Sequence, residues 1–316
     1  MDALSPILYT QVTGATVHNV GCAGIRATGG VAATLAPGNL LVSDSHVHHY
    51  ALWKRSYMPG VYWGGVGNTY RNNTVEYGPH NGFLGGGDFE DGVNNIFQDN
   101  TLSDLTFETI DSGGFYTSGQ AGTAFTNRGN VFQGNTVKRV RNTAGVGFQV
   151  ASNQGLYLDD QASGWLVEGN TFIDCQVGSF IGGGRRNLII GNRFERCGTV
   201  QYLNDQGRTF DKNTVECDDV KPPFKTTCST GAAEWMVTQS PAARDWAEQW
   251  PEMKQLRNHF AAHVGWPAFS AIINNSYCPG DATPGEFISS NVPEEVRRHL
   301  DRWYMSARGN VLTRDC

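Results

Sequence analysis

Three aspartates in two short segments have the residue types and the spacing for acid–base chemistry. Asp159 and Asp160 stand side by side in "QGLYLDDQASG" (154–164), directly after a short apolar run. Asp111 lies in "ETIDSGG" (108–114), before a turn of small residues. Because adjacent ionised carboxylates repel each other, the dipeptide indicates a solvated corner, a metal site or half of a catalytic pair.

The histidines of "SDSHVHHY" (43–50) form a second group with chemical potential. On a strand, His46 and His48 share one face, as two metal ligands would, but a third ligand is not apparent in the sequence. We therefore expect a polar groove face here and no metal site. His80 in "YGPHNG" (77–82) either lines the same groove or packs inside the fold.

A repeated motif indicates the elements that must position these side chains. It consists of an asparagine, a polar or small residue and an apolar residue, and its asparagines are Asn73, Asn100, Asn135, Asn170, Asn192, Asn213 and Asn275. The shortest spacings, 22 and 21 residues, equal one coil of a right-handed parallel β-helix. A coil cannot bury its inner face alone, so coils stack and equivalent asparagines form a ladder at a tight turn.

A second motif repeats in the same order and strengthens this prediction. It reads "NGFLGGGD" (81–88), "GGFYTSGQ" (113–120), "QGLYLDDQ" (154–161), "GSFIGGGR" (178–185) and "VQYLNDQG" (200–207). The sequence thus predicts an all-β, right-handed parallel β-helix with short helices near its C-terminus. Cys175, Cys197 and Cys217 follow their ladder asparagines at nearly constant spacing, which predicts a stacked column of inert buried thiols.

The coil lengths suggest where the functional site lies. Two successive coils, each beginning at one ladder asparagine and ending at the next, are 35 residues long, from Asn100 to Asn135 and from Asn135 to Asn170. The extra length forms loops around "TSGQAGTAFTNRG" and "VRNTAGVGFQVASNQ", and long loops on a rigid scaffold are where function concentrates. These loops flank the three aspartates, which stand on adjacent coils. Since neighbouring coils lie ~4.8 Å apart, the carboxyl groups can stand about 5–9.5 Å apart, the range that glycoside hydrolysis uses.

Composition excludes several classes of protein. Charged residues make up 17% of the 316 residues and the net charge is −6, so we expect no nucleic-acid partner. No apolar run is long enough to span a bilayer, and we expect no membrane partner. We predict coils over residues 1–230, a helical insertion over 231–265, and a final coil strand with a helical cap over 266–316. The insertion rests on a helical stripe of Trp246, Trp250, Met253, Leu256 and Phe260, which Pro251 should interrupt.

Several stretches resemble a known family of enzymes. They are "WKRSYMPGVYWGGVGN", "GPHNGFLGGGD", "ETIDSGGFYTSG", "RGNVFQGN", "GLYLDDQASGWLVEGNTF" and "FIGGGRRNLIIGNRFERC". In this order they resemble bacterial β-helix proteins of glycoside hydrolase family 141, which have fucosidase- and xylanase-type activities. The resemblance implies that Asp111 and one of Asp159 and Asp160 are the catalytic carboxylates. Within the dipeptide we favour Asp160 as the functional partner and Asp159 as the residue that holds the turn or binds substrate.

The leading functional hypothesis is hydrolysis of glycosidic bonds in a polysaccharide, without a cofactor, by a monomer. We expect the following side chains to bind substrate: His80, Glu108, Tyr116, Tyr157, Arg185, His48 and Trp53. A polysaccharide lyase or epimerase is an alternative, with Arg185 and Arg186 or Lys138 and Arg139 as cationic groups, and a non-catalytic carbohydrate-binding solenoid is another. The substrate class predicts an extracellular or secreted protein, although the chain shows no signal peptide.

Overall fold

A computed structural model describes residues 10–87, 91–119, 125–144, 153–204, 231–255, 267, 269–279, 288–290 and 305–313. Across these ranges the chain winds through three parallel sheets, one strand per sheet in each complete coil. This is the right-handed parallel β-helix that the repeats predict. Among the helices of these ranges, none has the length and apolar character to cross a membrane.

The first sheet contains nine strands in the described residues, stacked in chain order. They are β1 (Gln11–Thr13), β5 (Leu41–Ser43), β8 (Thr69–Arg71), β12 (Ile96–Gln98), β15 (Val131–Gln133), β18 (Leu166–Glu168), β21 (Leu188–Ile190), β24 (Ser270–Ile273) and β27 (Met305–Arg308).

The second sheet follows the first after a two-residue turn and also has nine described strands. They are β2 (Thr16–His18), β6 (His46–His48), β9 (Thr74–Gly78), β13 (Thr101–Leu105), β16 (Thr136–Val140), β19 (Thr171–Ile173), β22 (Arg193–Glu195), β25 (Ser276–Cys278) and β28 (Val311–Leu312).

The third sheet bears the second repeat and has the longest strands. Its stacked members are β3 (Ile25–Val31), β7 (Val61–Val66), β10 (Phe83–Gly85), β14 (Ser112–Ser118), β17 (Asn153–Asp159), β20 (Val177–Gly182), β23 (Thr199–Asn204) and β26 (Ile288–Ser290). Two short strands extend it: β4 (Ala36–Pro37) runs antiparallel to β3, and β11 (Gly92–Val93) pairs with β7.

The core lies between the three sheets and is rich in aromatic rings. Trp63, Phe83, Phe97, Phe115 and Trp165 are at most 1% exposed and pack against one another. Alternate residues of each strand point inward, so equivalent positions of successive coils meet and bury one another's apolar surface. Rigid stacked strands therefore hold the outward side chains of neighbouring coils in fixed register.

The asparagine ladder runs along the turn between the first and second sheets. Its members in the described residues are Asn73, Asn100, Asn135, Asn170, Asn192, Asn275 and Asn310, each accepting a bond from the backbone N–H of the preceding member or, at Asn73, of Ser45. The residue before each ladder position has a positive φ, as at Asp99 and Gly134, which the tight turn requires. Asn192 bonds directly to Asn275, so the prediction that Asn213 takes the next position is wrong. Asn213 itself lies outside the described residues.

A second asparagine ladder occupies the turn between the third and first sheets, and the sequence reasoning missed it. The backbone N–H of Asn68 donates to Asn95 Oδ1 at 3.0 Å, and that of Asn95 donates to Asn130 Oδ1 at 2.9 Å. These residues stand five positions before Asn73, Asn100 and Asn135, which was the available signal. Trp165 takes the next position and interrupts the series of asparagines. The backbone N–H of Trp165 donates to Asn187 Oδ1.

The cysteine column is confirmed for its two described members. Cys175 and Cys197 are free thiols, each 3% exposed, stacked on successive coils. Burial raises the pKa of the Cys175 thiol, which keeps it unreactive. Cys217 lies outside the described residues, and Cys278 on β25 is disulfide-bonded.

Two short helices and a 3-10 segment follow the third-sheet strand β23. The helices are α1 (Gly231–Thr238) and α2 (Ala243–Gln249), and the 3-10 segment is Pro251–Gln255, so Pro251 interrupts the helical stripe as predicted. Trp246 is fully buried and donates to the carbonyl of Ala32, which fixes α2 against the first coils. Leu256, Phe260 and the predicted helix near residue 300 lie outside the described residues.

Candidate functional site

The outer face of the third sheet carries one continuous column of mostly aromatic side chains. In register along the stack stand Tyr62, Leu84, Tyr116, Tyr157, Phe180 and Tyr202. The inner neighbours of these residues, such as Phe115 and Leu156, point into the core, so strand alternation sends the column outward. Tyr116 and Tyr157 are nevertheless only 4% and 6% exposed.

The three aspartates lie at the two ends of this column's central strands. Asp111 directly precedes β14, and Asp159 is the last residue of β17, opposite Ser118 of β14. Asp111 and Asp160 both have positive φ, 55° and 42°, so each sits at a tight turn that a small polar side chain tolerates. Since β14 pairs with β17, the adjacent-coil placement predicted from the sequence is confirmed.

Two stacked tyrosines connect the aspartates across the coils. The rings of Tyr116 and Tyr157 lie 4.5 Å apart between centroids at an interplanar angle of 15°. The Tyr157 hydroxyl donates to Asp111 Oδ1 at 3.1 Å, and the Tyr116 hydroxyl donates to Asp159 Oδ2 at 2.9 Å. The structure thus brings the predicted residues Asp111, Asp159, Tyr116 and Tyr157 into one group, in which ring stacking joins two hydrogen-bonded pairs of tyrosine and aspartate.

Asp159 is a buried carboxyl group with an altered acidity. It is 3% exposed, and burial raises its pKa well above the usual range, with the charges of Asp160 and Asp111 adding to that effect. The hydrogen bond from Tyr116 opposes the shift only in part. Asp159 therefore keeps a proton to a higher pH than an ordinary aspartate does.

Room beside Asp159 depends on a glycine of the next coil. A Cβ atom on Gly182 would lie 3.0 Å from Asp159 Oδ1 and 3.1 Å from the backbone nitrogen of Asp160. The small residues that follow the apolar pair in this repeat therefore leave space for the carboxyl groups. Asp160 is also 3% exposed, and the Ser118 hydroxyl donates to its Oδ2 at 3.1 Å.

Tyr57 contacts the aspartate group, although it is not among the substrate-binding residues predicted from the sequence. Its hydroxyl donates to Asp111 Oδ2 at 3.2 Å, so each carboxylate oxygen of Asp111 accepts one tyrosine proton. Tyr57 is 43% exposed and has a φ of 54°. Burial and then the charge of Asp111 raise the pKa of Tyr57 to about 12, so the phenol stays protonated and remains a donor. The cluster of aromatic residues around positions 53–63 was the only signal in the sequence.

His80 belongs to the same neighbourhood but inside the fold. It is 2% exposed, its ring lies 4.9 Å from that of Tyr57, and its Nδ1 lies 2.6 Å from Asn81 Nδ2. Burial lowers the pKa of His80 to about 4, so the ring is neutral at physiological pH. His80 therefore packs against Tyr57 inside the fold and is not exposed at the surface.

The other predicted substrate-binding residues have separate surroundings. Glu108 forms an ion pair with Arg55, and Arg185 is 2% exposed near Phe125. His48 lies on β6 of the second sheet, among other histidines. Trp53 is 87% exposed and covers Gly21, so one face of its indole is open to solvent. The predicted loops around the site fall partly outside the described residues, at 120–124 and 145–152.

The described residues contain no group of three or more His, Cys, Asp or Glu side chains arranged to hold a metal ion. The aspartate group itself contains carboxyl groups with different environments. Asp111 is exposed and held by two hydroxyls, whereas Asp159 is buried and prone to protonation. Such a pair can supply one acid and one base or nucleophile.

Comparison with known proteins identifies the family of the chain. The family model described as "Right handed beta helix region" matches residues 8–215, more than half of the chain. No curated protein matches the chain. No solved structure matches it either. The chain belongs to the right-handed β-helix family.

Proposed function

We propose that this right-handed β-helix protein hydrolyses glycosidic bonds of a polysaccharide, with Asp111, directly before β14, and Asp159, at the end of β17, as its acid–base groups. The fold suggests a carbohydrate-active protein at most, so the proposal rests on the side chains. The observation that carries it is the contrast between exposed Asp111 and buried Asp159, joined by Tyr157 and Tyr116. Glycoside hydrolysis needs two carboxyl groups, one protonated and one ionised.

The environments suggest a division of roles within the group. Asp111 is open to solvent, and hydroxyls from Tyr57 and Tyr157 fix both of its oxygens, which suits a nucleophile or a base. Burial raises the pKa of Asp159 and so favours its protonated form, which suits the general acid. We therefore assign the acid to Asp159, where the sequence alone favoured Asp160, and we assign to Asp160 the electrostatic role of favouring that proton.

Non-catalytic binding of a carbohydrate is the second candidate, and one observation favours it. Asp159 and Asp160 are each only 3% exposed, and an acid must come within hydrogen-bond distance of the oxygen that it protonates. Binding needs only the exposed groups, such as Asp111, Tyr57 and the open face of Trp53.

The lyase alternative has weaker support from its proposed cationic groups. Arg185 is 2% exposed, and Arg139 forms a bidentate pair with Asp104 at 2.6 Å for each bond. Lys138 lies on β16 of the second sheet, away from the aspartate group of the third sheet. Neutralising a uronate beside Asp111 would require cations that approach that residue.

A glycan panel with purified protein tests the proposal directly. Released reducing ends indicate hydrolysis, and ultraviolet absorbance of unsaturated products indicates a lyase. The variants Asp111→Asn and Asp159→Asn should each lower the rate by on the order of 10²–10⁴. Asp99→Asn is the matched control because Asp99 is exposed and has a φ of 54°, almost that of Asp111.

Three outcomes separate the candidates. Loss of turnover in Asp111→Asn and Asp159→Asn, with Asp99→Asn unchanged, supports hydrolysis by this pair. Near-normal turnover in folded Asp111→Asn removes the pair from the mechanism. Glycan binding without turnover by the wild type, weakened in Asp111→Asn, supports the non-catalytic candidate.

We also propose that the protein acts as a monomer in an extracellular or otherwise oxidising compartment. The disulfide at Cys278 supports the compartment, because such bonds persist where thiols are not kept reduced. Sedimentation of purified protein tests the oligomeric state, and a shift in gel mobility on reduction tests the disulfide.

A further inference from the structure

An exposed patch on the first coils of the second sheet gathers four histidines. The chain has eight histidines, and His18, His46, His48 and His49 lie together on β2, β6 and the turn after β6. The rings of His18 and His48 stack at 5.0 Å with an interplanar angle of 3°, and those of His46 and His48 lie 4.4 Å apart. This patch is not in contact with the aspartate group in any described interaction, and the proposed function does not use it.

One pair within the patch has its ring nitrogens within hydrogen-bond distance of each other. His48 Nδ1 and His49 Nδ1 are 2.8 Å apart, although the rings are nearly perpendicular at 83°. Two imidazole nitrogens bound to one ion at ~2.0–2.1 Å are about 2.9 Å apart at the right angle of a square-planar copper(II) or nickel(II) site, and about 3.3 Å apart at the tetrahedral angle of a zinc site. The observed separation is thus close to that of two neighbouring ligands on one metal ion.

The backbone sets this arrangement in advance. His48 is the last residue of β6, while His49 has a φ of 51°, and this change of conformation turns two consecutive side chains toward a common point. On a continuous strand, consecutive side chains would point to opposite faces. The ring of His49 also contacts Tyr77 of the next coil at 5.0 Å, which restricts its motion.

We propose that His48 and His49 form a binding site for a borderline divalent transition-metal ion, with two imidazole ligands and water in the remaining positions. Imidazole suits zinc, copper and nickel ions, and copper(II) should bind most tightly of these. Each ring would carry its proton on Nε2 so that both Nδ1 lone pairs reach the ion. A site with two protein ligands agrees with the finding that no group of three or more is arranged for a metal in the described ranges.

The contacts of the two other histidines in the patch indicate that neither binds the ion. His46 Nε2 lies 2.9 Å from Glu76 Oε1, so this imidazole has a carboxylate partner of its own. His18 stacks face to face on His48, and its nitrogens therefore do not converge on the His48 Nδ1 atom. Both residues serve as matched controls because they are imidazoles of the same patch.

Calorimetric titration of the untagged protein with copper(II), nickel(II), zinc(II) and magnesium(II) tests the site. Wild type should bind the first three at one patch and magnesium not at all, since magnesium prefers oxygen ligands. His48→Gln and His49→Asn should each weaken binding at least as much as the ~10–100-fold that loss of a ligand's outer partner costs. Asparagine is chosen at position 49 because it tolerates a positive φ.

His18→Gln and His46→Gln should keep the wild-type affinity within a few-fold, and urea unfolding should show that all four variants are folded. Absence of metal binding by the wild type overturns the proposal. Equal affinity in wild type, His48→Gln and His49→Asn also overturns it, because the ion would then bind elsewhere in the chain. Loss of binding in the His18 and His46 variants alone would move the site off this pair and overturn the assignment.

Discussion

Replacing one member of the first asparagine ladder should destabilise the whole β-helix. Asn170 is 1% exposed, and its Oδ1 accepts from both the backbone N–H and the side-chain amide of Asn135, at 2.8 and 3.0 Å. Its own amide donates to the carbonyl of Phe132 at 2.8 Å and to Asn192 Oδ1 at 2.9 Å. Leucine has a similar shape but can neither donate nor accept.

The magnitude follows from the groups that would lose these partners. In Asn170→Leu, the Asn135 side chain keeps its bond to Phe97, and Asn192 Oδ1 keeps the Asn170 backbone N–H. The Asn135 N–H and the Phe132 carbonyl each lose a bond in a buried site. An unsatisfied buried group costs ~1–3 kcal/mol, so the two cost about 2–6 kcal/mol.

Burial of leucine offsets part of this cost. A fully buried leucine gains about 1.5–3 kcal/mol, but only where apolar atoms surround it. The ladder site is lined by amides and carbonyls, so we expect a small offset and a net loss of about 2–4 kcal/mol.

Urea unfolding followed by circular dichroism measures this loss through the midpoint and the slope. The control is Gln133→Leu, because Gln133 is exposed and its side-chain amide donates to Glu168 Oε2 at the surface. That change should stay within about 0.5 kcal/mol. Equal midpoints for wild type and Asn170→Leu at unchanged slope would refute the view that the ladder stabilises the fold.

Two further predictions concern packing and pH. Gly155→Ala places a Cβ 2.6 Å from the Gly178 carbonyl oxygen, a backbone atom that cannot yield without moving β20, so the free energy of unfolding should fall by about 1–3 kcal/mol; an unchanged urea midpoint at unchanged slope would show that the coils are not packed this closely. The lowered pKa of His80, about 4, means that its contribution to stability is complete above pH 6.5 and is lost as the pH falls toward 4. Over this window wild type should lose about 3 kcal/mol more than His80→Gln, and parallel stability curves for the two proteins would contradict burial of a neutral ring.

Much of the fold could be predicted because stacking repeats the same local requirements in every coil. From the third coil onward, each described turn between the first and second sheets has a residue with positive φ followed by an asparagine, and that pair is visible in the sequence at Asp99–Asn100 and Gly134–Asn135. The second asparagine ladder was not predicted because Trp165 interrupts the regular series of its asparagines. The prediction for Asn213 is wrong because it rests only on a local match to the motif. The ladder position beside Asn192 depends on which strand pairs with β22, and that strand is β25, which follows Asn275.

The register of the coils predicts which coil carries each site residue, but it does not predict the burial or the contacts of the side chains. Register placed Asp111 and Asp159 on adjacent coils, but it could not show that Asp159 is buried. The Tyr57 contact joins residues 54 positions apart and depends on a loop conformation with positive φ, which no repeat encodes. His48 was assigned to the groove because its sheet could not be known from one strand motif.

The hydrogen bonds of the aspartate group suggest why a parallel β-helix can build such a site. The bonds from Tyr157 to Asp111, from Tyr116 to Asp159 and from Ser118 to Asp160 all cross from one coil to the next. No aspartate is held by a hydroxyl of its own coil in these bonds, so the geometry of the site depends on the register between β14 and β17.

This dependence links the remote ladder to the proposed chemistry. Asn100 and Asn135 precede the second-sheet strands of the two coils that carry the site, and their mutual bonds fix the same register on the opposite side of the core. If Asn135→Leu loosens that register, the three hydroxyl contacts should lengthen together, and any turnover should fall although no site residue has changed. Retained turnover in a destabilised Asn135→Leu protein, measured well below its unfolding midpoint, would show that the tyrosine stack alone maintains the register.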